Sequence, residues 1–206
     1  MSSDLPRILY LHGLNSSPAS AKAQQLIRLM QQLGLSEQLH VPALHHHPRL
    51  AIEQLEALVA SLDRPVLVGS SLGGYYATHL AERHGVKALL INPAVNPHRL
   101  FSGALGLQSN YHSGETWELT EDHIAALAEL EVPAPRDGAR YQVWLQTADE
   151  TLDYRAAEQF YRHAALRIQA GGDHGFQGFA EQLPALLAFA GFARSHWQAF
   201  DFSTLN

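Results

Sequence analysis

The sequence predicts an α/β fold, a mostly parallel sheet of about six strands with helices on both faces. Three observations carry that reading. Short runs rich in strand formers recur along the chain, several of them apolar at consecutive positions, as strands buried on both faces are. Stretches with apolar residues at helical spacing separate them. Gly closes several of these segments, where turns and helix ends call for it.

In chain order, RILYLHG (7–13) is the first strand, stopped by Gly13. SAKAQQLIRLMQQLG puts Leu26, Met30 and Leu33 at helical spacing, with Gly34 as its C-cap. LHVPAL (39–44) is a weaker strand, and LAIEQLEALVASLD carries Ile52, Leu55, Val59 and Leu62 on one stripe. PVLVG (65–69) is a strand, GYYATHLAERHG a helix ending at Gly85, and VKALLIN (86–92) a nearly continuous apolar strand. YQVWLQT (141–147) and LRIQA (166–170) are two more, with the helix DYRAAEQFYRHAA between them. The last helical stretch covers 176–194, and Pro184, pre-set for a first helical turn, starts a new helix within it. The long excursion 93–140 either caps the site as a lid or packs against the sheet as ordinary helix; its composition fits both.

The 206 residues are read as one domain, 1–206, long enough to bury about 70% of the surface of the unfolded chain. A formal net charge of −6 and no Lys/Arg cluster argue against nucleic acid and anionic membrane as partners. The chain has no cysteine, which excludes disulfides, thiolate zinc sites and a cysteine nucleophile, and fits a reducing compartment. MSSDLPRILYLHG has no basic segment followed by a long apolar core, so no signal peptide is read there. No apolar run approaches the roughly 18 residues that span a bilayer. The expectation is a cytoplasmic protein whose oligomeric state is open.

The stretch VLVGSSLGGYYATHL (66–80) carries the chemistry. A strand runs into a helix through Gly69-Ser70-Ser71-Leu72-Gly73, a G-x-S-x-G pattern. An abrupt strand-to-helix turn crowds the positions two before and two after its apex, so both must be small. The apex residue is strained, exposed at the strand's C-terminal end, and beside the free N–H groups of a helix start. Ser71 is flanked by Gly69 and Gly73 and is the candidate nucleophile. Ser70 is flanked by Val68 and Leu72, which are too bulky. A Gly/Ser turn that merely packs tightly, or cradles a phosphate, is the plainer alternative.

A nucleophilic serine needs a base, and the base an orienting carboxylate. With such an elbow the chain order is Ser, then Asp or Glu, then His. Of the 13 histidines, only His163, His174 and His196 follow 141–147. His163 falls in a predicted helix and His196 in the aromatic tail, so His174 in the Gly-rich loop AGGDHGF is the candidate base. The acid comes from TADETLDY. Asp149 stands nearest the strand end and is chosen over Glu150, while Asp153 reads as a helix N-cap. Asp173 adjoins His174, but adjacent side chains on an extended loop point apart. The expected oxyanion donors are the backbone N–H groups of Leu72 and of Leu14, in the loop HGLNSSP. His12 precedes Gly13 there and reads as a shaper of the loop.

YLHGLNSSP, GSSLGGYYATHLAER, INPAVNP, QTADETLDYRAA and GGDHGFQGF together resemble the motifs of the small bacterial YqiA-type esterases, a compact branch of the α/β-hydrolase fold. The resemblance covers about residues 7–180. It implies a serine-dependent hydrolase of carboxylic esters or thioesters with nucleophile Ser71, acid Asp149 and base His174. One position departs: Ala148 stands where the resemblance implies Gly, and a positive φ there would cost Ala about 1 kcal/mol.

The partner so implied is a small-molecule ester or acyl thioester, with no cofactor and no metal. HHHP (45–48) reads as a solvated loop, because three consecutive histidines cannot face one ion. The other function class is a non-enzymatic binding module that keeps the hydrolase fold. Within the enzymatic class, an amidase or peptidase is the variant reading.

Overall fold

The computed structural model describes residues 5–205, so residues 1–4 of the stretch read for a leader, and residue 206, lie outside it. In chain order the elements are β1 (Arg7–Leu11), α1 (Ala21–Gln32), β2 (Leu39–His40), α2 (Pro48–Ser61), β3 (Pro65–Ser70), α3 (Leu72–His84), β4 (Lys87–Ile91), α4 (Pro97–Phe101), β5 (Gly106–Ser109), β6 (Thr116–Leu119), α5 (Glu121–Glu129), β7 (Tyr141–Gln146), α6 (Tyr154–Phe160), β8 (Ala165–Gln169) and α7 (Phe179–Ala190).

Six strands form one sheet in the order β2-β1-β3-β4-β7-β8, and every pairing in it is parallel. Side chains alternate across each strand and divide the core in two. Leu9, Leu11, Leu67, Leu90, Val143 and Leu145 face α2, α3, α5 and α6. Ile8, Tyr10, Val68, Leu89, Ile91 and Trp144 face α1 and α7. Both faces are buried, which is why the strands read as continuous apolar runs. The α/β-hydrolase expectation therefore holds in strand number, direction and layering.

The chain leaves β1 through α1 to reach β2, then crosses back through α2 to β3 on the other side of β1. The helices that follow β1 and β3, α1 and α3, lie on opposite faces, so the loops at the C-terminal ends of β1 and β3 diverge. A crevice at such a switch point is where open α/β sheets bind ligands.

Four local expectations need correction. Pro184 does not start a helix: α7 runs unbroken through it. Proline removes one helical N–H, that facing the Ala180 carbonyl, and such a break ordinarily costs about 3 kcal/mol. The buried stripe Phe179, Ala180, Leu183, Leu186, Leu187 and Ala190 holds the helix against the sheet regardless. The helix expected over DYRAAEQFYRHAA ends at Phe160, leaving His163 in the turn before β8. β2 shrinks to two residues at the sheet edge. The histidine run is docked rather than simply solvated. His47 caps α2 by accepting from the Arg49 N–H at 3.3 Å and lies 2.8 Å from Asp122, while the His46 ring stacks on Trp117 at 4.8 Å.

The excursion contains α4, the antiparallel β5–β6 hairpin and α5. α5 packs on α2 and α3 through Leu127 and its C-cap Leu130, and Tyr75 Oη donates to the Leu127 carbonyl at 2.6 Å. Arg49 of α2 bridges Asp122 and Glu129 of α5, each at 2.8 Å.

Candidate active site

The turn from β3 to α3 has the crowding its sequence implies. A Cβ on Gly69 would lie 2.3 Å from the Gly73 carbonyl oxygen, and one on Gly73 would lie 2.0 Å from the Leu11 oxygen. Parallel pairing sets Leu11 of β1 beside Gly69 of β3, so the first turn of α3 passes directly over the end of β1. Gly74 continues the contact, where a Cβ would meet Pro93 at 2.7 Å. At the apex Ser71 has φ 55° and ψ −122°, a conformation that costs a non-glycine residue about 1–3 kcal/mol. Three contacts hold it there: its N–H donates to the Ile91 carbonyl at 3.1 Å, and its carbonyl accepts from Gly74 at 2.9 Å and Ala94 at 3.0 Å. Ser70, one residue earlier, is buried in the sheet.

Ser71 Oγ lies 3.0 Å from His174 Nε2. On the far side of the imidazole, Nδ1 lies 2.8 Å and 3.0 Å from the two Asp149 oxygens. A carboxylate accepts there, so Nδ1 carries the proton and Nε2 is left to accept from the Ser71 hydroxyl. The three residues named from sequence thus form one hydrogen-bonded chain across 103 positions. The Asp149 side chain is only 2% exposed, against 24% for His174. Burial pushes the Asp149 carboxyl up, but the hydrogen bonds from His174 and from the Leu152 and Thr151 N–H groups, with the attraction of His174, outweigh it and hold it below the usual carboxylate range. Those backbone bonds, at 2.8 and 2.9 Å, fix the carboxylate without using Oδ2, which faces the imidazole most closely.

The neighbouring carboxylates have other partners. Asp153 caps α6, accepting from the Arg155 N–H at 3.0 Å. Asp173 accepts from the Gln177 side chain at 2.9 Å. Glu150 accepts from the His174 backbone N–H at 3.0 Å, tying the imidazole-bearing loop to the carboxylate-bearing loop. Ala148 does not adopt a positive φ, and its N–H donates to the Gly171 carbonyl at 3.1 Å, so the turn accepts alanine unstrained.

Gly13 presses against the serine: a Cβ on it would lie 3.2 Å from Ser71 Cβ. Close approach, not a positive φ, is what calls for glycine there. Among the described residues neither the Leu14 nor the Leu72 N–H has a hydrogen-bond partner. His12 is 5% exposed and accepts from the Leu44 N–H at Nε2, 3.0 Å, while Nδ1 donates to the Gly13 carbonyl at 2.9 Å. Burial lowers its proton affinity, and both nitrogens are occupied in shaping the loop. A cleft of about 180 Å³ opens beside the loop, walled by Leu14, Leu72, Tyr76, His46, Asn110 and Trp117.

Two residues that sequence reasoning passed over hold the His174 loop. Gln146, at the end of β7, accepts from the Asp173 and Gln177 N–H groups at 3.0 and 2.9 Å and donates to the Gln177 carbonyl at 2.7 Å. Asn92, after β4 with φ 41°, accepts from the Gln146 N–H at 3.0 Å and donates to the Asp173 carbonyl at 3.0 Å. Both are 3% exposed. The available signal was a polar residue at the C-terminal end of a mostly apolar strand, Asn92 in INPAVNP and Gln146 in YQVWLQT. Lys22 of α1 adds a tether, donating to the Gly175 carbonyl at 2.7 Å, and burial lowers its ammonium to about 8 against the pull of Asp173 and Asp149.

A family model described as the uncharacterised protein family UPF0227 matches residues 7–191. The chain belongs to the UPF0227 family. A UPF0227 protein of Shewanella woodyi is 26% identical over 186 residues, covering 88% of this chain and 98% of the relative. One of Klebsiella pneumoniae is 26% identical over 187 residues, covering 88% and 97%. The family match spans every element from β1 to α7. In fold, this UPF0227 chain is similar to a putative hydrolase of Agrobacterium vitis (TM-score 0.71, 19% identity, 91% of this chain and 88% of that one). It is also similar to mouse alpha/beta hydrolase domain-containing protein 10 (TM-score 0.68, 13% identity, 91% and 90%). A third likeness is Est1E of Butyrivibrio proteoclasticus, solved with ferulic acid bound (TM-score 0.64, 13% identity, 91% and 87%). These place the UPF0227 chain in the α/β-hydrolase fold. Among the described residues no helix is long and apolar enough to cross a membrane.

Proposed function

We propose that the protein is a serine hydrolase of carboxylic esters or thioesters, acting through an acyl-enzyme with Ser71 as nucleophile, His174 as base and Asp149 as orienting acid. The observation that carries the reading is the chain Ser71 Oγ to His174 Nε2 at 3.0 Å and His174 Nδ1 to Asp149 Oδ2 at 2.8 Å, built on a strained elbow. A structural serine has no need of φ 55° or of an imidazole acceptor aligned by a buried carboxylate.

In the proposed reaction Ser71 Oγ attacks the substrate carbonyl carbon as its proton passes to His174 Nε2. The carbonyl oxygen gains the charge and accepts from the Leu14 and Leu72 N–H groups, the second at the positive end of α3. When the tetrahedral species collapses, His174 gives the proton to the departing alcohol or thiol. Water then enters and attacks the acyl carbon as it loses a proton to the same nitrogen, and collapse of the second tetrahedral species returns that proton to Ser71 Oγ and releases the acid. Asp149 stays ionised throughout and holds the Nδ1–H tautomer. The cleft beside Leu14 and Leu72 adjoins the two donors and suits one arm of a small substrate.

A fluorophosphonate probe tests the reading. It should label the wild-type protein at Ser71 and leave Ser71→Ala untouched. A folded wild-type protein that takes no label and cleaves no ester or acyl thioester would favour a binding module on the hydrolase scaffold.

A further inference from the structure

The loop after β1 does not hold its shape alone. Gly13, Leu14, Asn15 and Ser16 make a turn closed by the Ser16 N–H on the Gly13 carbonyl at 3.4 Å. Asn15 is its third residue, with φ 55°, the left-handed value that type II turns require there. Asparagine tolerates that region, but its side chain normally satisfies itself on nearby backbone. Here it reaches 93 to 102 positions along the chain instead. Its Nδ2 donates to Gln108 Oε1 at 3.1 Å, and its Oδ1 accepts from Trp117 Nε1 at 2.8 Å. Gln108 and Trp117 are cross-strand partners on the inner face of the β5–β6 hairpin. The Asn15 carbonyl accepts from the Tyr111 N–H at 2.8 Å, and Asn110 donates to the Ser16 carbonyl at 2.8 Å. Four hydrogen bonds thus join two residues of the loop to one hairpin.

The residue before this clamp is Leu14, whose N–H is unpartnered among the described residues. An oxyanion donor works only when it is fixed before charge develops, because reorganisation during reaction consumes the gain. The one hydrogen bond that closes the turn is long, and His12 braces only its first residue, Gly13, which leaves Leu14 and Asn15 to be fixed from elsewhere. The hairpin in turn is anchored at its far end: β6 leads directly into α5, which is packed on α2 and α3.

We propose that Asn15 is a positioning residue for the Leu14 oxyanion donor, clamped by the β5–β6 hairpin, so that the hairpin sets that donor's geometry. This rests on the serine-hydrolase reading above. It also gives the excursion a definite part: its hairpin is a fixed wall of the site, since swinging it open as a lid would break the clamp and release the donor.

The test separates conformation from clamping. Asn15→Gly keeps the positive φ and removes both side-chain bonds. Gln108→Leu, on the hairpin and outside the cleft lining, removes the acceptor for Asn15 Nδ2. Trp117→Phe removes the donor to Oδ1 and keeps a ring. Rates are measured on a short-chain p-nitrophenyl ester and normalised to Ser71 sites titrated by a fluorophosphonate, so that partial unfolding does not count. Removing an oxyanion donor outright costs about 10²- to 10³-fold, and misplacing one costs a part of that. The expected result is a kcat about tenfold lower in each variant, a KM within about twofold of wild type in Gln108→Leu, which leaves the cleft wall intact, and faster hydrogen exchange at the Tyr111 amide. Wild-type kcat per titrated site in both Gln108→Leu and Trp117→Phe would overturn the clamp. A wild-type protein that neither labels nor turns over ester would overturn the serine-hydrolase reading, and the clamp with it.

Discussion

Gly73 of α3 lies against the carbonyl of Leu11 in β1 so closely that a single added carbon would sit 2.0 Å from the oxygen. The neighbour is backbone of a strand paired along its length with β3, so it cannot turn aside as a side chain would. Gly73→Ala must therefore push α3 off the sheet end and carry the Ser71 apex with it. Overpacking of this kind costs about 1–3 kcal/mol. The expected outcome is a lowered Tm together with loss of probe labelling. Ser70→Ala, which removes a hydroxyl near Tyr10, should cost about 1 kcal/mol and leave labelling intact. An inactive but folded Ser70→Ala beside an active Gly73→Ala would move the chemistry to the other serine.

In the proposed reaction Ser71 and His174 share one proton transfer, so their losses should not multiply. Ser71→Ala and His174→Ala should each remove most of kcat without unfolding the chain. The double variant should fall little below either single one. Activity that drops by the product of the two single factors would show that the residues act separately.

The two aspartates near β7 are told apart by what each holds. Asp149→Asn removes the acceptor that fixes the imidazole tautomer, and kcat should fall by orders of magnitude with KM little changed. Asp153→Asn touches a helix cap, where asparagine serves almost as well, so neither Tm nor rate should move much. Full activity in Asp149→Asn with loss in Asp153→Asn would reverse the assignment.

Much of this site was legible because its determinants are local. Small residues around Ser71, a Gly-rich loop around His174 and a carboxylate at a strand end are each set by a short stretch of backbone. What escaped depends on partners far apart in sequence. Nothing near Asn92 announces that it will meet Asp173, and nothing near Asn15 announces Trp117. Pro184 misled for a related reason. Its local preference for a helix start is real, but the sheet-facing stripe of α7 decides the outcome. The excursion 93–140 read ambiguously because a hairpin that packs and a hairpin that caps have the same composition.

Asp149 also predicts a pH dependence of stability. Its folded carboxyl is held below the usual range, so the folded state favours the ionised form. The stabilisation is fully present above the unfolded value of about 3.9 and is lost as pH falls through the folded value. Melting temperatures of wild type and Asp149→Asn, followed from pH 7 to pH 3, should converge on the acid side. A difference that stays constant below pH 4 would mean that the His174 and backbone bonds do not favour the carboxylate.

Asn92 offers the sharpest probe of how the His174 loop is held. Its amide is both acceptor, from the Gln146 N–H, and donor, to the Asp173 carbonyl. Asn92→Asp keeps size, shape and tolerance of φ 41°, and keeps the acceptor, but sets a carboxylate oxygen 3.0 Å from a carbonyl oxygen in a buried site. Two acceptors facing each other without water repel, so either the loop moves or the carboxyl takes up a proton. Asn92→Gly keeps the backbone conformation and leaves the Gln146 N–H and Asp173 carbonyl unpaired, each costing about 1–3 kcal/mol. Both variants should lose kcat through a displaced imidazole, but the rate of Asn92→Asp relative to Asn92→Gly should rise as pH falls toward the range where its carboxyl protonates and donates again. Equal pH profiles for the two would mean that the Asp173 contact does not position the loop.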